Sequence, residues 1–471
     1  MTTHPMTLCP WCSLPALLIL AGCAQAPTHA PLPPAAPAAW ITAATSATAG
    51  QADADALLTP ELRDLLARAE AANRDLAAAG LRLKQARIQA QLGGLRFTPS
   101  AGLSHSASRP VEPQSSTRFV DVGGVSVPVT SQQGWSRSYG ASIGIGWEWD
   151  VWDRLAQGRA AAAAQSEAAQ ADLATARAQL RQQVAERYWT LRLLAAQRPL
   201  LARQRELAED ILQRVRLRVQ EGKLLPIEVD RAAASLQQTQ VRLTDLDADT
   251  LLQRQQLALL LDEVLPGPQL AAESPGGELP ALPALTLPAP AEVLARRPEL
   301  QRARAQVDAA LARLRVSQAQ RYPSLSFSAG LSTGGGSASD WLAQPLLSLA
   351  ANLVVPLIDW QRLDLQQDNA RTELELAALQ LRDQIARSLA EVEGLLVENQ
   401  RLRGQQAANQ LRLREATQAA RQAALRHELG TISRADWLQL EVARLEAEVG
   451  ALQLQLRERV QRVQLVRAFA Q

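Results

Sequence analysis

The sequence predicts a mixed α/β membrane protein. Four short strands per chain close a barrel with copies of the same chain, and long helices continue that barrel. Three observations carry this reading. First, Tyr139, Ala141, Ile143, Ile145, Trp147 and Trp149 alternate with Gly140, Ser142, Gly144, Gly146 and Glu148. That is the period of a half-buried strand of about ten residues, long enough to cross a bilayer at a tilt. Second, the period changes directly afterwards. Leu173, Leu180, Val184, Leu191 and Leu194 recur at helical steps, and a helix from Leu155 to Gln220 would be about 100 Å long. Third, the whole pattern occurs twice.

The first segment sets the compartment. Residues 1–22 read as a lipoprotein signal peptide: Leu14 to Leu20 is apolar, and Leu20-Ala21-Gly22-Cys23 resembles the bacterial lipobox. Cleavage there leaves Cys23 as a lipidated, palmitate-bearing first residue. Ala24, where Asp would mean retention at the inner membrane, implies sorting to the outer membrane. The alternative is an ordinary secretory signal with an incidental Cys. Met1 to Cys12 carries no Lys or Arg. Cys9 and Cys12 leave with the signal, so no internal disulfide is possible and the lipid on Cys23 is the one covalent group expected. No apolar run of 18 or more residues follows, so any crossing of the membrane is by strands. The 471 residues carry a net charge of +2, with arginines interleaved with acids along helices. No basic patch or recognition motif appears, which argues against nucleic acid as a partner.

In chain order, residues 23–60 form a tether, Pro- and Ala-rich from Ala26 to Ala38. A first repeat covers 61–265. It opens with a helix from Glu61 to Gly93, ended by Phe97-Thr98-Pro99. Ser100 to Ser108 is a weak strand, Arg109 to Gly134 a loop, and the Tyr139 strand and its long helix follow. Pro199 inside that helix predicts a bend or break near Arg198. Gly222 ends the helix, and a return helix runs from Pro226 to Leu261. A Pro-rich linker, 266–290, leads to the second repeat and C-terminus, 291–471. Arg297-Pro298-Glu299-Leu300 opens a helix that ends at Tyr322-Pro323. Leu325, Phe327, Ala329 and Leu331 mark a strand, Thr333 to Gln344 a Gly-rich loop, and Leu347, Leu349, Ala351, Leu353 and Val355 a fourth strand. A second long helix reaches Leu429, Gly430 breaks it, and Trp437 to Phe469 returns. Pro99 matches Pro323 at an offset of 224, and Gly222 matches Gly430 at 208, the difference lying in the shorter second loop.

Four strands cannot close a wall, and an open sheet in lipid leaves two edges unsatisfied. Two copies would give eight strands and a filled interior, three copies twelve and a wider lumen. Inward faces that hold Ser, Gly, Ala and Asn, too small to fill an interior, favour the wider tube. Trp135 and Trp341 lie in or beside the loops, and Trp149, Trp152 and Trp360 at the strand-to-helix junctions. That spacing fits two aromatic girdles, the alternative being core tryptophans.

The chain resembles the TolC/OprM outer-membrane factor family, in particular its NodT-type efflux lipoproteins. The resemblance rests on the lipobox at Cys23, on Trp149-Asp150-Val151-Trp152-Asp153-Arg154, and on Leu287-Pro288 with Arg296-Arg297-Pro298-Glu299-Leu300. It rests also on Pro356-Leu357-Ile358-Asp359 and on the turns Val219-Gln220-Glu221-Gly222 and Leu429-Gly430-Thr431. It covers Glu61 to Phe469. It implies a homotrimer with a twelve-stranded outer-membrane barrel above a periplasmic helical barrel. It also implies passive export coupled to an inner-membrane pump, of the RND type, and a periplasmic adaptor. The adaptor would dock on Gly222, Lys223, Leu224 and Leu225 and on Gly430, Thr431, Ile432 and Ser433. Asp436, with Glu228 as its counterpart in the first repeat, would line the periplasmic aperture. Surface carboxylates favoured by a helix N-terminus are the alternative for both.

No catalytic or metal-binding constellation is expected. His4 leaves with the signal, and His29, His105 and His427 lie in a tether, a strand and a long helix. Both methionines, Met1 and Met6, lie in the signal, so no thioether-lined metal path is expected. A structural coiled-coil lipoprotein and a type I protein-secretion conduit are the competing functions; the first has no use for four alternating strands.

Overall fold

The computed structural model describes residues 58–263 and 287–469, without 96, 110, 112–114, 133–134, 338, 341 and 343, and in addition residues 37, 39–41 and 282. The first repeat opens with α1 (Pro60–Ala72) and α2 (Arg74–Gly93). The expected single helix is divided at Asn73, an extended residue that ends α1 and caps α2 by accepting from Leu76 N at 2.9 Å. Its amide also donates to Leu260 O at 3.2 Å. That tertiary partner is the reason for the break, since the local leucine spacing runs through it.

β1 (Phe97–Ser108) follows, then β2 (Ser115–Val122), β3 (Val125–Gln132) and β4 (Ser136–Trp149). The stretch read as a loop, Arg109 to Gly134, thus holds a hairpin. Gly123 and Gly124 at φ +68° and +87° make its two-residue turn, which matches the right-handed twist of paired strands. Val120, Val125, Val127 and Val129 alternate along it. α3 (Arg154–Gln220, 67 residues) and α4 (Ile227–Leu260) complete the first half. α3 runs through Pro199 without a break. Leu194 and Leu201, on either side of it, pack with Leu246 of α4, and that packing offsets the roughly 3 kcal/mol that a helix-interior Pro costs.

The second half begins with α5 (Pro290–Arg296), a short helix where the linker was expected to be ending, then α6 (Pro298–Ala319). β5 (Ser324–Gly335), β6 (Pro345–Val354), α7 (Trp360–Glu428, 69 residues) and α8 (Arg434–Ala468) follow. Residues 264–281 of the linker lie outside the described residues.

The main sheet is antiparallel in the order β1-β4-β5-β6, so β1 and β6 are its edges. α3 packs against α6, α4, α8 and α2, and α7 against α8 and α6. The apolar core is not one mass. It is a chain of small clusters along the rods: Leu62, Val184, Trp189 and Leu257 in one, Leu300, Leu314, Leu374 and Ile385 in another, Leu207, Leu438 and Leu445 in a third. Among the described residues no helix is long and apolar enough to cross a membrane.

Candidate functional site

The sheet carries two unlike faces. Cross-strand register aligns Phe97, Trp147, Phe327 and Ala351 in one row, Pro99, Ile145, Ala329 and Leu349 in the next, and Ala101, Ile143, Leu331 and Leu347 in a third. These side chains share one face of the sheet and most are exposed, Leu349 to 76%. The opposite face holds Thr98, Gly146 and Ser328, then Ser100, Gly144, Gly330 and Ser348, then Gly102, Ser142 and Ser332. There hydroxyls lie over glycines of the neighbouring strand. Thr98 Oγ1 donates to Gly146 O at 3.3 Å and Ser348 Oγ to Gly330 O at 3.1 Å. A Cβ on Gly146 would meet Thr98 Oγ1 at 2.9 Å, and one on Gly140 would meet Ser104 Oγ at 2.9 Å. The result is a face of small groups along the middle rows, with Leu346 beside Ser332 towards one end and Glu148 and Val354 at the other. Sequence reasoning placed Phe97 at the end of a helix and missed it as a member of the aromatic row; its parity with Pro99 and Ala101 was the available signal.

The strand-to-helix junction is built by side chains of both repeats. Asp150 accepts from Leu155 N at 2.9 Å and Ala156 N at 2.7 Å, which satisfies amides that the start of a helix leaves open. Asp153 reaches φ +56° to make the turn. Arg154 pairs with Glu148 at 2.6 Å. Trp152 Nε1 donates to Pro323 O at 2.9 Å, and its ring stacks on Tyr322 with centroids 4.5 Å apart. Arg321 lies over Trp360 and pairs with Asp364 at 3.1 Å. Trp149, Trp152 and Trp360 thus gather at one end of the sheet, all exposed, and Trp135 stands exposed at the other, just before β4. Trp341 and Cys23 lie outside the described residues.

The far ends of the rods are two matching turns. Gly222 and Gly430 take φ +71° and +73°. Lys223 N donates to Arg218 O at 2.8 Å and Thr431 N to Arg426 O at 2.9 Å, the six-to-one bond that closes a helix C-terminus with a left-handed residue. Leu225 is 69% exposed and Leu429 78%. Lys223 is bound to Glu221 at 2.8 Å and holds that carboxyl below the usual range. Ser433 and Asp436 form a capping box that opens α8. Asp436 stays exposed while its Oδ2 accepts from Ser433 Oγ at 2.6 Å. Glu228, in the first turn of α4, pairs with Arg231 at 2.7 Å. The start of α8 is tied to α3 by Arg434, which reaches Asp210 at 3.2 Å.

Midway between sheet and tips lies a buried charge cluster. Arg297, the N-cap of α6, has a side chain only 3% exposed; it binds Glu391 of α7 and donates to Ser388 O at 3.1 Å. Arg467 of α8 holds the same carboxylate. Burial pushes the Glu391 carboxyl up, but the two guanidiniums outweigh it and hold the group below its ordinary value. Among the described residues no group of His, Cys, Asp and Glu has metal-site geometry.

A four-stranded antiparallel sheet with one exposed apolar face and one face of mostly small polar groups stands on paired long helices. The sequence model described as "Outer membrane efflux protein" matches residues 65–263 and 289–471, and the chain belongs to that family. It is similar to the pyoverdine export outer membrane protein OpmQ of Pseudomonas aeruginosa, 29% identical over 94% of this chain and 92% of that protein. The OpmQ of Pseudomonas putida is 30% identical over 82% of this chain and 81% of its own length. Among solved structures, the outer-membrane channel OprN superposes with a TM-score of 0.78 at 23% identity, covering 94% of this chain and 98% of OprN. The chain is thus an outer-membrane efflux protein in family, fold and location.

Proposed function

We propose that three copies form a passive export channel, the outer-membrane part of a tripartite efflux system with a periplasmic adaptor and an inner-membrane pump of the RND type. The observation that carries this is the sheet. It has two open edges, one exposed apolar face, and one face whose middle rows are glycines and hydroxyls. A sheet of that kind is stable in lipid only when closed, and three copies of four strands give a water-wide barrel of twelve. The rods, about 100 Å each at 1.5 Å per residue, carry the lumen across the periplasm. Cys23 bears the lipid. Trp149, Trp152 and Trp360 stand at one bilayer interface and Trp135 and Trp341 at the other. The protein is a conduit and not an enzyme, with no cofactor beyond its lipid. Its cargo is small molecules. Relatives named for pyoverdine export and for fusaric acid resistance support this cargo over secreted proteins. A coiled-coil spacer would leave the apolar sheet face without a purpose.

The adaptor docks on the turns Gly222–Leu225 and Gly430–Ser433, where leucines stand exposed around rigid Gly bends. Lys84 and Lys223 are the only lysines of the chain. An amine-reactive cross-linker in intact cells should therefore join adaptor to Lys223, and Lys223→Arg should abolish that product. A product through Lys84 alone would move the docking site off the tips. Asp436 and Glu228 line the aperture, where a ring of three carboxylates favours cations. Native mass spectrometry in mild detergent should give three subunits beginning at a lipidated Cys23. In single-channel records Asp436→Ala should raise conductance; an unchanged record removes Asp436 from the aperture.

A further inference from the structure

The apolar face of the sheet finishes differently at its two ends. Towards the loops its last rows are Leu103 with Ala141, His105 with Tyr139, and Ala107 with Arg137. The His105 and Tyr139 rings stack with centroids 4.4 Å apart. His105 and Arg137 are exposed, and so is Arg109, one residue past the end of β1. Among the described residues neither Arg137 nor Arg109 has an ion pair or hydrogen bond for its guanidinium. At the helix end of the sheet, by contrast, Arg154, Arg321 and Arg362 are held by Glu148, Asp364 and Asp359. Of the loop carboxylates, Glu112 lies outside the described residues. Asp121 accepts from Gly124 N at 2.9 Å and Asp340 from Ser339 Oγ at 3.1 Å, each within its own turn.

We infer that Arg137, with Arg109 and the stacked His105–Tyr139 pair, binds a phosphate of the glycolipid that fills the outer leaflet of the outer membrane. The inference rests on the barrel reading above, which turns this face to lipid and the loops to the cell exterior. Depth follows from the strand. Trp149 and Tyr139 are ten residues apart on β4. That is about 34 Å along the strand, or about 26 Å across the bilayer at a tilt of about 40°. The apolar band of an outer-membrane barrel is about 25 Å tall. With Trp149 at one interface, Tyr139 therefore stands at the other, and Arg137 about 5 Å beyond it, among the headgroups. A guanidinium without a carboxylate offers its planar fork of N–H donors to phosphate oxygens two at a time. The stacked rings beneath it give a flat base with an apolar body, suited to the level where sugar meets acyl chain. The choice of lipid follows from charge. A phosphomonoester carries about −1.5 to −2 near neutrality, whereas a zwitterionic phospholipid would bring its own cation against the two arginines.

The test is native mass spectrometry of the full-length protein in mild detergent. The probe is diphosphoryl lipid A, compared with the same lipid A stripped of its phosphates and with phosphatidylglycerol. Diphosphoryl lipid A should bind the trimer at least about tenfold more tightly than the dephosphorylated form, the worth of one charge-assisted hydrogen bond. Arg109→Ala with Arg137→Ala should remove that preference while the trimer mass persists. Arg137→Lys should keep part of it, because it retains the charge and loses the fork. Arg362→Ala, at the other end of the sheet, should leave it unchanged. Equal binding of the two lipid A forms, or a preference that survives the double substitution, overturns the inference. Phosphatidylglycerol bound as tightly as diphosphoryl lipid A overturns it too, because the surface then reads charge alone. A chain that gives no trimer in these spectra fails the barrel reading, and the inference with it, and the protein mass reports that outcome separately.

Discussion

Asp150 and Arg297 are both charged residues of short sequence motifs, and both are consumed by structure. Asp150 gives its two oxygens to the amides of Leu155 and Ala156. Asp150→Ala should destabilise the protein by about 1–2 kcal/mol, the usual loss of a helix cap, seen as a lower midpoint of thermal unfolding by circular dichroism; Asp150→Asn should recover most of it. Arg297 is buried against Glu391, which keeps roughly a third of its own surface in solvent. Breaking a buried pair costs about 3–5 kcal/mol, and the exposure of Glu391 reduces this to about 2–3 kcal/mol for Arg297→Ala. The pH dependence follows from the sign of the shift. Because the folded carboxyl lies below its ordinary value of 4.5, its contribution is full above that pH and fades as pH falls through the depressed folded value. The gap in unfolding midpoint between the natural chain and Arg297→Ala should therefore be widest near neutrality and narrow in acid below about pH 4.5. A gap that does not change with pH would assign the cluster to packing alone.

At the scale of elements, the two turns and the hairpin show what backbone conformation demands. Gly222 and Gly430 both close a helix at positive φ with nothing near enough to obstruct a side chain. Gly430→Ala therefore costs only the left-handed strain, about 1–2 kcal/mol, and should act locally. Exchange at residues 426–433 should rise while the global unfolding midpoint moves little, and cross-linking of adaptor to Lys223 should fall. Gly222→Ala should behave alike in the first repeat. The long helices were legible because their signals are local: leucine spacing along them and Gly222 and Gly430 where they end. The β2–β3 hairpin was equally local: its Gly123-Gly124 turn and alternating valines stand in a stretch whose Pro, Ser, Gly and Gln nonetheless read as a loop. At Pro199 the helix does not break, because contacts with α4 outweigh the local cost.

At the scale of the whole molecule, the apolar face of the sheet decides between a tube and a soluble spacer. Leu349 sits mid-strand on that face, in register with Ala329. Leu349→Arg should cost about 2–4 kcal/mol per chain if the face meets lipid, and three copies multiply the effect. The expected outcome is loss of trimer from outer membranes on native gels, with the helical circular dichroism of the extracted chain retained. Ser348→Thr on the opposite face should leave the trimer intact. Equal tolerance of both substitutions would mean that the sheet does not span the bilayer.

The sequence by itself determined the periods of strand and helix, the capped ends of the rods, the parity that separates an apolar from a hydroxyl face, and the twofold repetition. These are encoded within a few residues of one another, and main-chain geometry converts them directly into elements. The order β1-β4-β5-β6, the division at Asn73 and the burial of Arg297 against Glu391 and Arg467 were decided only by the tertiary structure. Each depends on groups scores or hundreds of residues apart, whose meeting is fixed by how the rods pack and not by any local pattern.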